Sequence, residues 1–380
     1  GDGPPEAQAA AGAQILLVPN ASPFHNAPVG TGPFKYETRV AGQSVTLRRN
    51  SEYYGGEPKI ERVAFLVAPD VGVAEEAARS GTLMLAQLPP SNAERLVSEG
   101  HGIQGGAFTE PGYDFVAFNL RSPRPFSDTR LRQAWARSML MPCPAFSGSS
   151  DGGEPVWTDV PRSSWAYNSD VPKLGGNPAE ARRLLAEAGW ADLNGDGIVE
   201  KDGKALSVSL FVREDNITRR RAAEGMVAPL RAVGIEAKVE LADFETAIKT
   251  RLSPFGSTPF DFDVMLLGWS RPSFDPDSFA LFHSTQVPTQ ADPALLNFTG
   301  FSATEYDALA FEARSTYDFA RRRELYARMQ AIIADQLPYY FLWAEKFGVV
   351  ASPKVRGDID FFSPRYMWNL EDWTLAEYLN

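Results

Sequence analysis

The stretch from Asn177 to Gly203 constrains this chain most, because it strings a helix, an acid-rich turn and a strand into one unit. Asn177 is a helix N-cap, and Pro178 suits the first helical position, where no N–H is needed. Leu184, Leu185 and Ala188 form an apolar face at helical spacing, and Gly189 stands where a left-handed stop is wanted. The run Asp192-Leu193-Asn194-Gly195-Asp196-Gly197 opens like a calcium-binding EF-hand loop, with acids at positions 1 and 5 and glycine at 6. Such a loop needs a bidentate Glu at position 12. That position is Gly203 here, Asp202 falls one residue short, and the flanks are helix then strand. The first reading is therefore an exposed Asx/Gly turn. The second is a structural calcium held by Asp192, Asn194 and Asp196.

A chain of 380 residues has room for two or three domains and a large core. Its net charge of −11 argues against nucleic acid as a partner, since a phosphate backbone calls for a basic surface. No apolar run approaches the roughly 18 residues needed to cross a bilayer. No leader peptide is visible, so for an exported protein the leader is expected outside this sequence. The single cysteine, Cys143, sits between Pro142 and Pro144 without a nucleophile signature and reads as an incidental thiol. His25, His101 and His283 are scattered, so neither a transition-metal site nor a cofactor is expected.

Residues 1–28 read as a loose tail. From Thr31 the pattern is β-rich: Phe34 to Val40, Ser44 to Arg49 and Ile60 to Val67 alternate as strands. A short helix over Val73 to Ser80, a strand over Tyr113 to Asn119 and an Asp128-capped helix to Met139 follow. Residues 142–176, rich in Pro, Gly, Ser and Asp, read as a long linker or surface loop into a second lobe. There the expectation is strands at Leu206 to Val212 and Ile235 to Leu241 around a helix over Thr218 to Ala232. An Asp243-capped helix and a buried strand at Phe262 to Trp269 come next. Two more helices, capped near Thr304 and Asp318, precede an aromatic strand-like run from Pro338 to Val350. The expected division is a first lobe of residues 29–140 plus 345–380 and a second of 141–344, with chain crossings near Met139–Pro142 and Ala344–Pro353.

Seven short motifs follow one another from Gly30 onward: Gly30-Thr31-Gly32-Pro33-Phe34; Arg49-Asn50 with Tyr53-Tyr54-Gly55-Gly56; Phe118-Asn119-Leu120 with Pro125-Phe126 and Asp128 to Ala134; Leu184 to Gly203; Gly234-Ile235; Gly268-Trp269 with Asp275-Pro276-Asp277; and Asn297 to Phe301. In that order they resemble the family 5 extracellular solute-binding proteins of ABC importers. The resemblance implies an α/β fold, the two-lobed type II periplasmic-binding-protein architecture with a hinge between lobes. It also implies an extracytoplasmic location, periplasmic or as a cell-surface lipoprotein. The function implied is capture of a peptide, oligosaccharide or similar small organic ligand in an interlobe cleft by a monomer, and delivery to a membrane permease. Family members carry a strand and a small extra domain before the Gly30-type motif; this sequence opens without them. A fragment without binding activity, or an interaction module, is the alternative.

The same resemblance nominates the site. Arg213, at a strand end, is where peptide-binding members place an arginine against the ligand carboxylate, and a guanidinium fork suits two oxygens. Trp269 and its loop, with Arg271, Phe274 and Asp275, are expected to wall the pocket. Tyr113 and Asn119 are expected on the strand facing the cleft. Pro272 stands where di- and oligopeptide binders carry an acid for the ligand's amino terminus, which favours an oligosaccharide or another organic ligand. An enzyme is a remote reading. Asp275 and Asp277 could form the carboxylate pair of a glycoside hydrolase, but no GxSxG, HExxH or P-loop motif occurs.

Overall fold

Alternating apolar residues and well-placed helix caps decide most of the elements. The computed structural model describes residues 27–139, 153–255, 259–270 and 275–376, and the chain divides into two compact units, residues 1–108 with 347–380 and residues 109–346. The first unit opens with an antiparallel three-stranded sheet: β1 (Phe34–Val40), β2 (Ser44–Arg49) and β3 (Arg62–Leu66), in that spatial order. The helix α1 (Val71–Arg79) begins where the Asp70 side chain accepts from Val73 N–H. It is followed by β4 (Leu85–Leu88), α2 (Pro90–Ser98) and β5 (Gln104–Thr109).

The second unit is built on one mixed sheet. Its strands are β6 (Tyr113–Phe118), β7 (Glu154–Pro155), β10 (Ser207–Arg213), β11 (Glu236–Ala242), β12 (Val264–Trp269) and β13 (Tyr339–Ala344), in the spatial order β11-β10-β12-β6-β13-β7. Between β7 and β10 a two-stranded ribbon is formed by β8 (Glu200–Lys201) and β9 (Lys204–Ala205). β10 runs parallel to both β11 and β12, and β6 is antiparallel to β12 and β13. Helices α3 (Thr129–Ser138), α4 (Pro178–Glu187) and α5 (Ile217–Ala232) bring apolar residues to one face of the sheet. α6 (Phe279–Phe282), α7 (Thr304–Ser315) and α8 (Phe319–Gln336) do so on the other. The alternation of strand residues separates these two cores: Val116, Leu210 and Leu266 face the first, Phe115, Phe211 and Met265 the second.

The chain then returns to the first unit through β14 (Lys346–Ala351), which lies between β4 and β5, and a small ribbon of β15 (Val355–Arg356) and β16 (Thr374–Leu375). Val350 faces one small core and Val349 and Ala351 another.

The division differs from the expected one. Tyr113–Phe118 is not a strand of the first unit; it pairs with β12 and β13 at the centre of the second unit's sheet, so the first crossing lies at 108/109 rather than near Met139. The second, at 346/347, falls inside the expected Ala344–Pro353. Asp243 caps one π-helical turn, Phe244–Ile248, continued only by Lys249–Arg251, rather than a full helix. Pro338 to Val350 is two strands broken at Glu345. Cys143 and most of the 1–28 tail lie outside the described residues.

Candidate functional site

β10 and β12 are parallel, so their carboxyl ends share one edge of the sheet, and β6, being antiparallel, begins there. Trp269 ends β12 directly opposite Tyr113. Both face the core that contains Phe115 and Phe211. Tyr113 is buried, edge-on to Phe115 at 5.7 Å and to Phe341 at 5.1 Å between centroids. Trp269 is half-buried, stacked over Phe115 at 6.3 Å and 16°, with its indole N–H 3.4 Å from Tyr339 Oη. The indole is thus held by fixed aromatic packing in a half-buried residue.

Arg213 ends β10 on the same face, its guanidinium 5.2 Å from the Phe244 ring. Its fork is already filled: Nε and Nη2 donate to Asp215 Oδ1 and Oδ2 at 2.9 and 2.6 Å. That contact raises the arginine above its ordinary range and holds the Asp215 carboxyl below its own. A ligand carboxylate would have to share or displace Asp215.

Asn119 is placed elsewhere. It follows the far end of β6, about 20 Å along the strand from Tyr113, fully buried, and its amide donates to Phe260 O and Phe262 O at 2.8 and 2.9 Å. It satisfies buried backbone and does not share an edge with Trp269. Asp275 closes a turn by accepting from Asp277 N–H, and Asp277 accepts from Phe279 N–H and pairs with Arg314 at 3.2 Å. Both carboxylates accept backbone N–H groups of the loop and so shape it. Arg271 and Phe274 lie outside the described residues.

Sequence reasoning missed the charged half of this edge. Asp114, on the opposite face from Tyr113, is 2% exposed and accepts at Oδ1 from Arg219 Nε and Nη2 at 3.1 and 2.7 Å. Arg219 is set by the first turn of α5, where the capping Asn216 accepts from its N–H. Gly268 of β12 leaves the space: a Cβ there would collide with both partners. Burial pushes the Asp114 carboxyl above its ordinary range, with Arg219 opposing. Glu345, between β13 and β14, is likewise raised, first by burial and then by Asp114, with Glu110 adding to it. Glu110 N–H donates to Glu345 O at 2.8 Å, and Ser270 Oγ donates to Glu110 Oε1 at 2.6 Å. The readable signal was Asp114 itself, a lone acid in the apolar run Tyr113–Phe118.

The Asp192 turn gathers one more acid than expected. Oxygens of Asp192, Asp196 and Glu200 come within 4.8 Å of one another. Glu200 accepts from Leu193 N–H and the Asn194 amide, and Asp192 from Gly195 and Gly197 N–H. The oxygens suit a hard cation by type, yet each already braces the turn.

Residues 8–289 match the family described as bacterial extracellular solute-binding proteins, family 5, middle region. The chain belongs to the family 5 extracellular solute-binding proteins. Within the family 5 proteins it is similar to the oligopeptide-binding protein AppA of Bacillus subtilis, 29% identical over 352 residues, covering 92% of this chain and 62% of that protein. It also resembles the dipeptide-binding protein of Escherichia coli, 24% identical over 318 residues, 82% of this chain and 55% of that one. The chain therefore spans about three fifths of the length of the curated relatives it matches. The solved structure of B. subtilis AppA in complex with a nonapeptide superposes with a TM-score of 0.77 at 28% identity, covering 96% of this chain and 71% of that one. NikZ of Campylobacter jejuni, solved with Ni(L-His), shares the fold at a TM-score of 0.75 and 23% identity, over 93% and 70% of the two chains. The fold is that of a type II periplasmic binding protein, mixed helix and sheet. Among the described residues no helix is long and apolar enough to cross a membrane.

Proposed function

We propose that this chain binds a peptide-like solute outside the cytoplasm, leaves it chemically unchanged, and serves an ABC importer by presenting it to a membrane permease. The observation that carries the reading is the edge of the second unit's sheet. There a half-buried tryptophan, Trp269, and an arginine fork, Arg213, lie on one face at the carboxyl ends of parallel strands. Open α/β sheets hold ligands at this end of their strands. Family membership and the likeness to a relative solved with a nonapeptide support a peptide over other ligands. An oligosaccharide is the competing class, because an indole also stacks on a sugar ring.

The test is calorimetric titration of the protein with synthetic peptides of two to nine residues and, separately, with linear oligosaccharides. The reading expects saturable binding of peptides and recovery of intact peptide afterwards. Binding of the sugars alone, or appearance of cleavage products, would replace it.

A further inference from the structure

Arg213 and Asp215 stand in the turn between β10 and α5, and that turn is fixed on both sides of Asp215. Glu214 N–H donates to Ala242 O at 3.1 Å, and Asn216 N–H donates to Arg213 O at 3.4 Å. The Asn216 side chain caps α5 by accepting from Arg219 N–H at 2.9 Å. The Phe244 ring, 5.2 Å away, packs against the Arg213 guanidinium. Asp215 is thereby placed to offer both carboxylate oxygens to one edge of the guanidinium, Nε and Nη2, the bidentate geometry in which arginine holds a carboxylate most firmly. The arginine side chain is 35% exposed and the aspartate 63%, so the pair is open to solvent. A second acid is close: Asp243 follows Ala242, the residue opposite Arg213 in the β10–β11 register, and its charge acts on the arginine.

We infer that Asp215 is a built-in substitute for a ligand carboxylate, and that it makes the site indifferent to a free carboxyl terminus on the peptide it takes. The inference rests on the peptide-like reading above and deepens it by naming an end group the site does not select. A ligand carboxylate could meet only the remaining edge of the guanidinium, sharing Nη2 with Asp215. There it would lie beside Asp215 and near Asp243, where like charges oppose it. Nη1 takes no part in the pairing and can donate to a neutral carbonyl oxygen, which every peptide bond supplies. A carbonyl carries no net charge for the two acids to repel. Exposure sets the size of the effect: a solvent-open pair is weak, so Asp215 lowers affinity for a carboxylate several-fold without abolishing it.

The experiment uses the full chain and synthetic peptides of two to nine residues, each made as the free acid and as the carboxyl-terminal amide, with affinity read by calorimetric titration. The unaltered protein is expected to bind the free acid no more than about twofold tighter than the amide at every length. Asp215→Asn removes the charge and leaves the fork open. At the lengths whose carboxyl end reaches Arg213, that variant should bind the free acid about fivefold tighter than the amide. The gained preference should vanish in the Arg213→Gln/Asp215→Asn double variant, an outcome that a merely structural role for Asp215 would not produce. Asp215→Ser repeats the test if the asparagine variant fails to fold. A larger preference for the free acid in the unaltered protein overturns the inference, because the fork is then already open. Equal binding of acid and amide by Asp215→Asn at every length overturns it too, as does a gained preference that survives the loss of Arg213. Failure of every peptide to bind overturns instead the peptide reading on which it stands.

Discussion

Asp114 and Arg219 meet across a glycine. The guanidinium Nη2 sits 2.7 Å from Asp114 Oδ1, and the pair occupies the volume a side chain at 268 would fill. The arginine side chain is 15% exposed and the aspartate 3%, so the pair is removed from water and neither charge is readily solvated if the other is lost.

Gly268→Ala is therefore expected to destabilise the second unit by about 1–3 kcal/mol, the usual effect of forcing a methyl group into a filled interior. The denaturant midpoint would report it, and an unchanged midpoint would mean that the pair moves aside freely.

Arg219→Met should be worse, about 3–5 kcal/mol, because it leaves the Asp114 carboxylate buried without its cation. Asp114→Leu combined with Arg219→Met should recover much of the loss. A double-mutant cycle with no coupling between the two positions would contradict this account.

The Glu345 carboxyl is held above its ordinary range, which fixes the sign of a pH effect. A raised carboxyl stabilises the fold in its protonated form, and that contribution is lost as pH rises through the folded value. Glu345→Gln removes the charge that burial, Asp114 and Glu110 disfavour, with Arg219 opposing. The variant should melt at a higher temperature than the parent at pH 7, and the gain should vanish below the ordinary carboxylate range, where both forms are neutral. A gain independent of pH would assign it to packing instead.

Much of this molecule could be read from its residues, and the exceptions have physical causes. Asp128, Asn177 and Asp318 cap helices as their positions suggest, each side chain accepting a backbone N–H of the first turn. β1 and β2 fall at the expected residues, because alternation there is strict. β5 was missed because Gly105 and Gly106 make Gln104–Thr109 look like a loop. They are needed for close packing: a Cβ at 105 would come within 2.7 Å of Val349 O, and one at 106 within 2.8 Å of Phe361 Cβ. The unit boundary was misplaced because strand pairing is non-local, and nothing within Tyr113–Phe118 says that its neighbours are Val264–Trp269 and Tyr339–Ala344. The charged residues of this edge were hidden for the same reason: Asp114 meets Arg219, and the Glu110 backbone meets that of Glu345, only once distant segments pair. Glu200 escaped because it serves the Asp192 turn from position 9 of a loop read with position 12 in mind.

Glu200→Ala should loosen that turn. Its carboxylate accepts from Leu193 N–H at 2.8 Å and from the Asn194 amide at 2.6 Å. Loss of the two should destabilise by about 1–2 kcal/mol, with faster amide exchange confined to the turn and the β8–β9 ribbon. Uniform protection across this segment in the variant would show that the backbone alone holds it.

The central claim is that the Trp269 edge grips a peptide-like solute. It is tested most directly by mass spectrometry of the small molecules released when freshly purified protein is denatured, for the parent and for Trp269→Ala side by side. The account predicts peptides from the parent and their loss from the variant. Sugars in place of peptides, or the same peptides retained by the folded variant, would contradict it.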